Sequence, residues 1–422
     1  MKQELAFAIA PGQSTNIKSR MLEWFKPFGI LFFLDNNEYG STYNRYECLL
    51  AAGARQTLQH AEDIEAHPGE WIFGHIAYEY KDQLESKLHS GHTKRIGFKP
   101  FSFVCPEIVC YINTAKDTLH IISYTIEPQA IYLQIMGSTL HFDKGLPAIQ
   151  FIQRIAPEAY IARIKKLQQH IKNGDCYEIN FCNEGFAENI TINPLQVFCK
   201  LNEVSPAPFA VYYRNQDTYL MCASPERYLQ KSGRKIIAQP IKGTARRLKD
   251  AGEDELQKQA LKQDIKEQAE NVMIVDLMRN DLARFCEVGS IQVDELFGIY
   301  TFPQVHQMIS TISGTTLSPT QFATILKAGF PMGSMTGAPK IKVMQLIEQY
   351  EEARRELFSG SIVYITPEGD FDANVVIRSL FYNASTQYLS YQTGGAITYD
   401  SVAEKEWEEM RLKAAAMERI FT

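Results

Sequence analysis

The sequence contains no C-x-x-C pair, no cysteine with a histidine at zinc spacing, no block of basic residues and no apolar run approaching the roughly 20 residues of a membrane span. Each absence removes a class of function. The eight cysteines, scattered from Cys48 to Cys286, read as reduced core thiols rather than a disulfide framework or zinc site. A net charge of -6 with dispersed lysines and arginines provides no field for a nucleic acid. The apolar run beside Glu4 is too short for a signal segment, so the expected location is the cytoplasm. Internal repeats, low-complexity tracts and a recognisable interdomain linker are also lacking, so the 422 residues are expected to form one interleaved α+β unit of antiparallel sheets with helices outside.

Within that unit, residues 1–145 read as a strand-rich N-terminal region and residues 150–422 as a second region of mixed helices and strands. FGILFFLDNNEYG, WIFGHIAYEY, FVCPEIVCYI and LHIISYTIE are branched and aromatic runs closed by turn residues, the pattern of strands. YNRYECLLAAGARQTLQHAEDIEA between them reads as a helix. PEAYIARIKKLQQHIKNGD predicts a helix capped at Asn173-Gly174. From Gly252 to Cys286 the chain reads as strongly helical, with Leu256, Ala260, Ile265, Ala269, Val272 and Met273 as its apolar stripe. A last helix is expected over SVAEKEWEEMRLKAAAMERI.

Few residues declare a chemistry by themselves. Lys242, in AQPIKGTARR, sits in a turn of small and rigid residues, where a solvated charge is the ordinary outcome. Glu226, in ASPERY, lies sixteen positions earlier and would approach Lys242 if the intervening strands pair; such a pair suits proton transfer with nucleophilic attack, or a plain salt bridge. Glu267 with Glu270, and Glu406 with Glu409, are spaced to share a helix face, which suits either Mg²⁺ or water. GSMTGAPK opens onto a helix but lacks the spacing of a P-loop.

Taken in order, GDCYEINF, ASPERYL, PIKGTARR, AENVMIVDLMRNDLARFCEVGSI, GSMTGAPKI, SGSIVYITPEGDFDANVVIRSL, GGAITYDS and EWEEMRLKA resemble the chorismate-utilising enzymes, across nearly all of residues 157–418. That family includes anthranilate, aminodeoxychorismate and isochorismate synthases. The lysine before Gly-Thr resembles the aminodeoxychorismate branch, where the others carry alanine. Glu178 stands where isochorismate synthases have a lysine base. The resemblance implies amination of chorismate at C4 by ammonia, with anthranilate synthase component I as the alternative.

Several roles follow from the resemblance. Lys242 would attack C2 of the ring while Glu226 protonates the departing hydroxyl. Mg²⁺ would be held by Glu270 and Glu409, with Glu406 and Glu267 beside them. Substrate would contact Tyr364, Arg378, Lys413, Thr244 and the backbone at Gly243, Gly394 and Gly395. Lys242 must be neutral to attack, so burial or a nearby cation is expected to lower its pKa, and Glu226 is expected to need an apolar setting. Two departures stand out: VHQMIS puts Gln307 at a position where relatives have histidine, with His306 turned away, and Ala396 replaces the third glycine of a G-G-G run. No glutaminase segment is evident, so ammonia would come from a separate amidotransferase subunit or from solution. The N-terminal strands keep little of the pattern with which some relatives bind tryptophan.

Overall fold

The run ILFFLD alternates its side chains between two faces, as a strand must. In the computed structural model, which describes residues 2–40, 42–142, 144–302, 305–317 and 321–422, Phe32 is buried with one core cluster while Leu31 and Phe33 are buried with another. Strand Ile30–Asp35 pairs antiparallel with Tyr46–Ala52 on one side and Phe209–Asn215 on the other. This places N-terminal and C-terminal segments side by side in one sheet.

Among the described residues, that sheet has 12 strands and a second sheet has 10. The first runs from Gln3–Ala8 at one edge to Glu178–Ala187 and the short Gly337–Ala338 at the other. The second runs from Ile241–Arg246 through Val305–Thr315, Lys235–Gln239 and Arg227–Ser232 to N-terminal strands including Ile72–Ile76. Phe32, Val211 and Leu220 of the first sheet share a core with Phe73, Val363 and Leu229 of the second. Leu31, Phe33 and Met221, on the opposite face of the first sheet, pack with Met21, Phe25 and Phe198 from outer helices. The α+β class with interleaved antiparallel sheets is the one expected.

Two local expectations fail. The segment read as one helix from Tyr43 to Ala66 instead forms strands Tyr46–Ala52 and Gln56–Leu58, with helix only at Ala61–Glu65. Its apolar ECLLAA run pairs with strands on both sides, and such short runs do not distinguish helix from strand by period. The long helix before Cys286 is broken: Ala251–Gln263 and Ile265–Leu282 meet at Asp264, which is extended and caps the second helix by accepting from Glu267 N at 3.0 Å. The break shifts the buried face to Ile274, Val275, Met278 and Leu282 and leaves Leu256 and Ile265 of the expected stripe exposed. By contrast, Pro157–Lys172 is helical with Gly174 left-handed just beyond its cap, and Ala403–Glu418 is the expected last helix.

The eight cysteines are unbonded, and seven are buried. Among the described residues no helix is long and apolar enough to cross a membrane.

Candidate active site

The chain passes between the sheets at two neighbouring places. Thr218–Ser224 lies in the first sheet and Arg227–Ser232 in the second, with Glu226 between them. Phe371–Asn374 lies in the second and Ser379–Asn383 in the first, with Arg378 between them at a φ of 50°. Val375 N donates to Glu226 O at 3.0 Å, Ala223 N to Arg378 O at 3.2 Å, and Ser224 Oγ to Val375 O at 2.6 Å. These bonds lock the two crossings together, so a carboxyl and a guanidinium share one buried corner.

Burial dominates the electrostatics of that corner. It pushes the Glu226 carboxyl up to about 7, against the opposing effects of a hydrogen bond from Ser334 and the positive charges of Lys242, Arg378 and Lys413. Near neutrality this group holds a proton for much of the time. Burial also lowers the Arg378 pKa, with Glu226 opposing it, and among the described residues the guanidinium makes no hydrogen bond or ion pair. A half-buried guanidinium with unused donors is suited to receive an anion.

Lys242 enters from the second sheet. Strand Ile241–Arg246 pairs with Val305–Thr315, but the register slips between Ile241 and Thr244, leaving Lys242 and Gly243 in a bulge. Gly243 takes a φ of 88°, which a side chain would resist, and a Cβ there would lie 3.1 Å from Glu267 Oε2. The Lys242 amine donates to Glu178 Oε1 at 2.8 Å. Glu226 and Glu270 add electrostatic attraction without an ion-pair contact. Burial pulls the Lys242 pKa down, yet Glu178, Glu270 and Glu226 together outweigh it and leave the amine above its ordinary range. The expectation of a lowered pKa is therefore corrected: burial acts in the expected direction, and the carboxylates overcome it.

Glu178 was noted in the sequence only for the base it replaces, and its partnership with Lys242 was missed. The available signal was an acid opening the otherwise apolar strand CYEINF. Ser334 was missed too. The GSMTGAPK turn supplies Ser334 to Glu226, and its Gly337–Ala338 pairs with Glu178–Ile179.

Helices Ile265–Leu282 and Ala403–Glu418 bring four carboxylates towards the same region. Burial and neighbouring negative charge, Glu270 for Glu267 and Glu409 for Glu406, raise both Glu267 and Glu406. Glu409 is lowered, chiefly by Lys413, whose amine lies 2.8 Å away. Lys266 lies 3.4 Å from Glu270, and Ser401 Oγ donates to Glu406 at 2.8 Å. Among the described residues no three His, Cys, Asp or Glu side chains are grouped closely enough to hold a metal ion, so the expected four-carboxylate site is not preassembled. Lysines supply the counter-charge instead. The donors themselves, hard oxygens from two helices under mutual repulsion, fit Mg²⁺.

Gly394 and Gly395 lie opposite Cys182 and Phe181, and Lys413 donates to Gly394 O at 2.9 Å. A Cβ on Gly395 would meet Glu406 Oε2 at 3.1 Å, so the glycine pair borders the acidic helix. Ala396, opposite Asn180, is tolerated there. Thr244 is exposed on the bulged strand.

Tyr364 does not join the group. It lies on strand Ser361–Ile365, with Tyr46, Arg227 and Asp372 around it in a separate cavity between the sheets. It therefore takes no part in the Lys242 site in this structure. His306 hydrogen-bonds Asp254 and Thr301, each at 3.0 Å, and anchors helix Ala251–Gln263. Gln307 is buried opposite Thr244, with its Oε1 unpartnered among the described residues.

The family model for chorismate binding enzymes matches residues 32–419. The chain belongs to that family. An aminodeoxychorismate synthase component 1 from Klebsiella aerogenes is 39% identical over 252 residues, covering 60% of this chain and 55% of that protein, so the chain spans about half of that relative. A protein of the same name from Bacillus subtilis is 34% identical over 358 residues, covering 82% of this chain and 76% of its own. Among solved structures, anthranilate synthase component I from Streptococcus pneumoniae superposes with a TM-score of 0.78 at 25% identity, covering 90% of this chain and 94% of that one. Both synthase types thus occur among the chain's relatives in the chorismate binding family.

Proposed function

We propose that this chorismate binding protein aminates chorismate at C4 with ammonia, giving 4-amino-4-deoxychorismate, the precursor of 4-aminobenzoate and folate. The observation that carries the reading is Lys242, a largely buried amine on a bulge, within electrostatic reach of a Glu226 carboxyl held near neutrality by burial. A lone lysine would be a charge; one beside a buried acid is an acid and nucleophile pair.

Chorismate carries two carboxylates and a C4 hydroxyl. Arg378, with its free donors, suits a carboxylate. The Lys242 amine attacks C2, the ring double bonds shift, and the C4–O bond breaks as Glu226 delivers its proton, releasing water. Ammonia then attacks C4, the double bonds shift back, and the C2–N bond to Lys242 breaks. Glu270 and Glu409 would hold Mg²⁺, with Glu267 and Glu406 beside them. When bound, the ion would offset the negative charge of a substrate carboxylate. Lys413 and the glycine pair border the same region. Ammonia would arrive from a separate glutamine amidotransferase subunit or from solution, and a separate lyase would complete 4-aminobenzoate.

The test is product identity. Chorismate, Mg²⁺ and ammonium are incubated with the protein and the products separated by mass, with and without an added lyase. The reading expects 4-amino-4-deoxychorismate, converted by the lyase to 4-aminobenzoate. Anthranilate, isochorismate or unchanged chorismate from folded protein would overturn it.

A further inference from the structure

Lys242 as nucleophile poses a problem that its surroundings sharpen. The amine is held as an ammonium, and an ammonium has no lone pair with which to attack. Water-mediated loss of the proton is slow to exploit at a site where surrounding carboxylates favour the charged form. The proton must go to a neighbouring base.

Four carboxylates influence the amine: Glu178 from the strand Glu178–Ala187, Glu226 from the crossing before Arg227–Ser232, Glu270 from helix Ile265–Leu282 and Glu409 from helix Ala403–Glu418. Glu226 must carry a proton for the leaving hydroxyl. Glu270 and Glu409 are the candidate cation ligands. Among the described residues Glu178 alone is hydrogen-bonded to the amine, at 2.8 Å, and it has no other assigned task.

Its position is also built. Glu178 pairs through its backbone with Ala338, and Tyr177 N donates to Ala338 O at 2.8 Å. Gly337 makes this approach possible: at a φ of 135°, any Cβ would fall 2.1 Å from Glu178 O. The turn that carries Ser334 to Glu226 therefore also fixes the strand end that carries Glu178. One turn sets both the acid and the partner of the amine.

We infer that Glu178 is the proton acceptor that frees Lys242 for attack, a role resting on Lys242 being the nucleophile. One N–H bond of the ammonium breaks, an O–H bond forms on Glu178, and the released pair forms the bond to C2. No oxidant or further reactant is required. The proton stays within the pair, so the reactive state has the same net proton count as the resting state.

That constancy supplies the test. An internal transfer makes the rate insensitive to pH on the acid side of Glu226, whereas an amine that must lose its proton to solvent gains about tenfold per pH unit. Single-turnover rates of adduct formation on mixing with chorismate and Mg²⁺, without ammonium because its free-base fraction would itself rise about tenfold per pH unit, are measured between about pH 5.5 and 7 for the native protein and for Glu178→Gln, which keeps the backbone pairing. The native rate is expected to stay level, and the variant to fall well below it and climb about tenfold per unit. A side chain needed only for packing would lower the rate equally at every pH. A level profile in the variant, or a native rate that itself climbs with unit slope, would overturn the inference; the native profile decides even if the variant does not fold. Failure of the native protein to form any aminated product would instead remove the parent reading, a distinct result.

Discussion

Arg355 grips both oxygens of Glu351, Nη2 donating to Oε1 at 2.6 Å and Nε to Oε2 at 2.9 Å, with both side chains almost wholly inaccessible. The same guanidinium donates to Asn180 O at 2.9 Å and Met335 O at 2.7 Å, while Cys182 N donates to Glu351. The pair thus ties the strand that begins at Glu178 to the turn that holds Ser334. Removing one partner strands the other charge. Arg355→Met is expected to destabilise the protein by about 3–5 kcal/mol, and the double variant with Glu351→Leu to recover much of that loss. Urea unfolding of the three proteins checks it.

Glu226 links stability to pH with a definite sign. Its carboxyl, ordinarily near 4.5, is pushed up to about 7 by burial, so the folded state binds the proton more tightly than the unfolded state. The contribution is fully present below the ordinary value and is lost as pH rises through about 7, amounting to roughly 3 kcal/mol. Glu226→Gln should therefore gain stability relative to the native protein between pH 5 and pH 8, while its amination rate collapses. Unfolding free energies at the two pH values measure the gain.

Lys242→Ala removes the nucleophile and leaves Arg378 and the acidic helices in place. Amination should drop by at least about a thousandfold, with chorismate affinity changed only a few-fold. Calorimetric binding beside steady-state rates separates the two effects. Unchanged amination would remove Lys242 from the mechanism.

The four glutamates repel one another, and Lys266 and Lys413 only partly offset them. Millimolar Mg²⁺ should raise the native melting temperature. The Glu270→Gln/Glu409→Gln variant should lose that response along with at least about tenfold in Mg²⁺ affinity. An equal rise in both proteins would point to binding elsewhere.

The residues of the candidate site were more legible in the sequence than their setting. Lys242, Glu226 and Arg378 fall within ordered motifs, and the structure brings the three to one region. Glu178 is 64 positions from Lys242 and belongs to the other sheet, so nothing local could pair them. Tyr364 shows the converse error: its motif suggested the substrate, yet its strand places it in a different cavity. The helix break at Asp264 was hidden because good helix formers flank a single capping residue. The ECLLAA strand was misread because both of its faces are buried, Leu49 and Ala51 in one core and Cys48, Leu50 and Ala52 in the other, which removes the alternation that marks a strand.

The central claim, that amination passes through a bond to Lys242, is tested most directly by intact-protein mass spectrometry after mixing with chorismate and Mg²⁺ in the absence of ammonium. The account predicts a protein heavier by chorismate less one water, with the addition mapped to Lys242 and discharged when ammonium is added. Full amination activity without that adduct, or an adduct mapped to another lysine, would contradict it.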